Sequence, residues 1–110
     1  MEVKVMNQEE KKELMGKYAK KLENAIKREA AVIKEMENDK ALIKYLEGQK
    51  TSGAAFDNTV YESYDAWIET IKKQIKKSEN TLKNIEFKKV ELEAVQKYIK
   101  EQAEESRKED

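Results

Sequence analysis

The residues best equipped for chemistry fall in one segment, Phe56 to Ile71. It holds Phe56, Tyr61, Tyr64 and Trp67, half of the chain's eight aromatic side chains. Across residues 51–71 stand Asp57, Glu62, Asp65 and Glu69 with no Lys or Arg between them, a net charge of −4. Aromatic side chains offer large, rigid contact area and carboxylates select a basic partner, so this composition points to a binding patch. Phe56, Tyr61, Tyr64, Trp67, Asp57 and Asp65 are its candidate residues. The bland alternative is that Tyr64, Trp67 and Ile68 close a core against Tyr45 and Leu46. Composition leaves both open.

A second cluster follows directly. Lys72, Lys73, Lys76 and Lys77 occupy adjacent turns of a helical pattern, and residues 72–100 contain nine lysines against four glutamates. Such a cluster could meet phosphate, with nearby tyrosines stacking on bases. However, Ile71 and Ile75 lie between the lysines at core spacing, so the same four also read as a solvated flank of a buried stripe. Arginine, the better reader of phosphate, occurs only as Arg28 and Arg107. The net charge of the whole chain is zero, which argues against nucleic-acid binding driven by the overall field.

Much catalytic chemistry is missing. Histidine is absent, which removes the usual general base, the Ser-His-Asp arrangement and histidine-bearing zinc or di-iron sites. Cysteine is absent too, which excludes disulfides, thiolate metal sites and a thiol nucleophile. The four serines have no candidate base, and neither Gly48 nor Gly53 precedes the Gly-Lys-Ser/Thr of a phosphate loop. The expectation is a protein that is not an enzyme and carries no metal or cofactor.

The elements that position these clusters read as helices. Proline is absent and there are only three glycines, so little breaks a helix except the region of Gly48 and Gly53. Asn7 precedes Glu10 by three, the spacing of an N-terminal capping box. From there Met15, Leu22, Ile26, Ile33, Met36 and Ile43 recur on one face, which predicts a helix over about 8–47. Glu29 and Asp39 interrupt that stripe. Gly48 is placed to end the helix in the left-handed conformation. A turn over about 48–58 follows. Thr59 and Glu62 repeat the capping-box spacing and predict a second helix over about 59–105. Its stripe runs Ile68, Ile71, Ile75, Leu82 and Ile85 at a period near 3.5, the coiled-coil value. Past Ile85 the apolar residues Phe87 and Val90 imply a slip of register. Val3 and Val5 read as a tail before the first helix.

The fold class is therefore all-α: two long amphipathic helices in an antiparallel hairpin, coiled-coil-like, forming one domain. A two-helix hairpin buries a single seam, and Ile26 and Ile33 broaden the stripe beyond it. Leaving them wet forgoes about 1.5–3 kcal/mol for each large side chain. The chain is expected to recover this burial as a dimer or higher homo-oligomer, in a helical bundle, and to bind another protein. The layout is similar to that of the WXG100 secreted proteins, but their Trp-x-Gly turn is missing: the turn reads Leu46-Glu47-Gly48-Gln49, and Trp67 continues as Ile68-Glu69. The longest apolar run, Ala30 to Ile33, is too short for a membrane span, and no secretory leader is visible. These readings predict a cytoplasmic interaction module, such as an adaptor, chaperone or small inhibitor. The alternative is a nucleotide- or nucleic-acid-binding helical protein.

Overall fold

The computed structural model describes residues 7–58 and 60–109, the last seven of them by backbone alone. Thr59 and the tail with Val3 and Val5 lie outside the described residues. Two helices make up the fold: α1, Gln8–Thr51, and α2, Tyr64–Glu109. They form an all-α helical hairpin. No described helix is long and apolar enough to cross a membrane.

α1 begins as its sequence predicts. The Glu10 N–H donates to Asn7 Oδ1 at 2.8 Å, and the Asn7 side-chain amide reaches back to Glu10 Oε1 at 3.4 Å. The first of these bonds satisfies a backbone donor that the first helical turn leaves without a partner. Its end differs from expectation. The helix runs through Gly48, and the left-handed residue is Gly53, with φ +76°. The Gly53 N–H donates to the Lys50 carbonyl at 3.1 Å, and the Ala54 N–H donates to the Gln49 carbonyl at 3.1 Å. These two bonds define a Schellman cap with Gly53 as the residue past the end. A glycine inside a helix costs only about 1 kcal/mol. The extra turn offsets that by continuing the backbone ladder and carrying Lys50 to Asp65, where Nζ meets Oδ1 at 2.6 Å.

The start of α2 also departs from the capping-box spacing at 59–62. The Asn58 Oδ1 accepts hydrogen bonds from the Val60 N–H at 2.7 Å and the Tyr61 N–H at 3.1 Å, which folds this segment into an Asx turn. The N-cap passes to Ser63, whose Oγ accepts from the Ala66 N–H at 3.1 Å. The turn therefore spans residues 52–63.

Two compact units make up the chain: residues 29–84, and residues 1–28 with 85–110. In the first, which contains the turn, Leu46, Ile68 and Ile71 form the buried cluster, with Leu42, Ile43, Tyr64, Trp67 and Ile75 packed against it. A run of partly or fully buried positions there keeps the coiled-coil spacing: Val32, Met36, Asp39, Ile43 and Leu46 on α1, and Tyr64, Ile68, Ile71, Ile75, Ser78 and Leu82 on α2. Ile33, predicted for the seam, is exposed.

In the second unit the same alternation places Met15, Tyr18, Leu22 and Ala25 inward on α1, and Ile85, Lys89, Leu92, Gln96 and Ile99 on α2. Ile26, expected in the seam, is exposed, as are Phe87 and Val90. The predicted register slip does not occur. Burial keeps its step of four and three through Lys89, whose long aliphatic stem can occupy a seam position while the ammonium reaches outward.

Candidate functional site

The turn brings all four candidate aromatics together. Phe56 meets Tyr64 edge-on, with ring centroids 4.9 Å apart, and lies 6.5 Å from Trp67. Tyr61 stacks on Trp67 at 5.3 Å with the planes 8° apart. Both arrangements suit the quadrupoles of aromatic rings. The Tyr64 hydroxyl donates toward the carbonyls of Ala54 and Ala55, at 3.1 and 3.2 Å, tying the start of the turn to the first residue of α2. Tyr64 and Trp67 also rest on the Leu46–Ile68–Ile71 cluster. All four rings are half-buried. The aromatics thus roof the core: Tyr61 joins the roof through Trp67, and Phe56 through Tyr64 and Trp67.

The polar candidates separate. Asp57, Glu62 and Asp65 are all exposed, and Asp65 is paired with Lys50. Between Asp57 and Glu62, Val60 is 79% exposed, the most exposed of the large hydrophobic residues described. Sequence reasoning passed over Val60. Its signal was local: a β-branched apolar residue inside a turn, two residues after an Asn able to hold the backbone. The tip therefore presents an apolar point flanked in sequence by two carboxylates, on a segment held by the Asn58 turn and by Tyr61 stacked on Trp67.

Lys72, Lys73, Lys76 and Lys77 are exposed on α2. Of these, Lys77 lines a groove of about 410 Å³ together with Glu35, Asn38, Asp39, Gln74 and Ser78. Asp39 and Ser78 are seam positions, so the coiled-coil stripe is polar on both helices here. Asp39, read from the sequence as an interruption, is half-buried at this point. Among the described residues no group of acidic side chains could hold a metal ion.

The fold and the tip define a class, a two-helix hairpin with an aromatic-roofed, acidic turn. No protein-family model, curated protein or solved structure matches this chain.

Proposed function

We propose that this chain is a non-enzymatic protein-interaction module of the cytoplasm, an adaptor, chaperone or small inhibitor, whose hairpin tip meets a basic polypeptide. The observation that carries this reading is the pairing of Val60, held out in solvent, with the exposed carboxylates of Asp57 and Glu62 on a braced turn. An apolar anchor rimmed by one sign of charge suits a partner of opposite charge with an apolar side chain to bury. Bracing the turn in advance lowers the ordering cost of binding. No residue of the tip is asked to transfer a proton or bind a cofactor.

The test is a titration of ¹⁵N-labelled protein with three probes: a synthetic Lys/Leu amphipathic helical peptide, an acidic peptide of matched length, and a single-stranded oligonucleotide. The basic peptide is expected to shift the amides of residues 56–66, with Val60→Asp and Asp57→Lys each abolishing the effect. Shifts confined to Lys72–Lys77 with the oligonucleotide, lost at raised salt, would overturn this reading in favour of the nucleic-acid alternative.

A further inference from the structure

Within the unit of residues 29–84, the seam divides a lysine cluster that the sequence presents as one. Lys77 lines the groove on one flank, with Glu35 and Asn38 of α1 and Gln74 of α2. Lys72 and Lys76 turn the other way, because each directly follows a seam residue, the buried Ile71 and the half-buried Ile75. On α1 the same step places Lys40 after Asp39 and Lys44 after Ile43, two further seam positions. In an antiparallel pair these equivalent flanks adjoin, so Lys40 and Lys44 share one side of the hairpin with Lys72 and Lys76. Leu46 packs with Ile68 and Ile71, and Ile43 and Ile75 join that cluster, a register that sets Lys40 nearly level with Lys72.

This juxtaposes like charge in three ways. Lys40 and Lys44, and likewise Lys72 and Lys76, stand four apart on one helix, and Lys40 meets Lys72 across the seam. All four are exposed, and none forms an ion pair among the described residues. The extent of the patch selects its ligand. Each helix shows the same order on this flank, with exposed carboxylates outside the lysines: Glu37-Lys40-Lys44-Glu47 on α1 and Glu69-Lys72-Lys76-Glu79 on α2, at steps of three, four and three. The lysines of each helix span about 6 Å along its axis. A long polyanion lying along the hairpin would meet carboxylates at both ends of the patch, whereas a compact, multiply charged anion would not. No aromatic side chain stands in either run to stack on a base, and lysine ammoniums suit phosphate oxygens as point charges.

We infer that Lys40, Lys44, Lys72 and Lys76 form a site for a compact polyphosphate group, a di- or triphosphate whose oxygens accept hydrogen bonds from the ammoniums of both helices. Binding relieves the repulsion among the four lysines and links α1 to α2. The site lies on the flank of the hairpin and does not rest on the reading of the tip.

The experiment is a titration of the ¹⁵N-labelled full chain at low ionic strength with sodium tripolyphosphate, with ATP, adenosine and a single-stranded oligonucleotide in parallel. Tripolyphosphate is expected to shift the amides around Lys40, Lys44, Lys72 and Lys76 and to leave residues 56–66 unmoved. Adenosine should not bind. Tripolyphosphate bound more tightly than ATP assigns the site to free polyphosphate, and equal binding assigns it to the phosphate chain whatever that chain carries. K40Q and K72Q should each weaken binding about threefold and the double variant about tenfold, while K77Q, on the groove flank, leaves it unchanged. Glutamine suits an exposed helical position, so circular dichroism should show the same helicity in all variants. Tripolyphosphate should also raise the wild-type melting temperature above that in sodium chloride of equal ionic strength, and do so less in the double variant. No shift at millimolar tripolyphosphate overturns the inference, as does K77Q weakening binding as much as K72Q. An oligonucleotide bound more tightly than tripolyphosphate overturns it too, making the flank a nucleic-acid surface. Failure here, with the basic peptide still bound at the tip, would leave the proposed function standing.

Discussion

Gly48 and Gly53 offer the most direct check on how the hairpin turns. An added Cβ would meet nothing within 4 Å at either position, so the two Gly→Ala substitutions differ in backbone conformation and not in crowding. Gly48 lies inside α1, where alanine exceeds glycine in helix propensity by about 1 kcal/mol. Gly53 holds φ +76°, where an L side chain costs about 1–2 kcal/mol. Gly48→Ala should therefore stabilise the protein by about 1 kcal/mol and Gly53→Ala destabilise it by a similar or larger amount, a separation of about 2–3 kcal/mol. Urea unfolding followed by helical circular dichroism and by Trp67 fluorescence would measure this. All variants should be compared at one protein concentration, because any self-association shifts apparent stability. In thermal melts the two variants should move to opposite sides of wild type, by roughly 4 °C or more for each kcal/mol. If Gly48→Ala destabilises while Gly53→Ala is neutral, α1 ends at Gly48 and the Schellman cap described here is wrong.

Three further outcomes follow from packing and hydrogen bonding. Trp67→Ala removes the ring that joins Tyr61 to the core and part of the support of Phe56, and should cost about 2 kcal/mol, below the roughly 3–5 of a fully buried aromatic because Trp67 is half-buried. Tyr64→Phe should cost only about 1 kcal/mol, the value of the hydroxyl's hydrogen bonding to Ala54 and Ala55; a loss as large as that of Trp67→Ala would mean the hydroxyl does more than tie the turn. Asp39→Leu replaces a half-buried carboxylate in the seam beside the polar groove and should raise stability by about 1 kcal/mol in the same unfolding assay. A drop instead would show Asp39 to be fixing the register.

The sequence by itself determined the helical class and much of the seam. Absence of proline and apolar residues three and four apart admit few other folds, and Met36, Ile68, Ile71 and Ile85 are buried as that spacing requires. Asn7 and Glu10 likewise declare the start of α1, because a cap depends on neighbours within one turn. Tertiary structure decided what residue type conceals. Lys89 takes a seam position while Phe87 and Val90 face solvent, since helical phase outranks hydrophobicity once Ile85 and Leu92 are set. It chose Gly53 over Gly48 and Ser63 as the caps, where the local spacing offered more than one candidate. Packing of the turn across α1 and α2, through Lys50, Asn58 and the four rings, selected among them. It also packed Tyr64 and Trp67 against the Leu46 cluster, with all four rings half-buried, and left Val60, a residue of no motif, as the point held out to solvent.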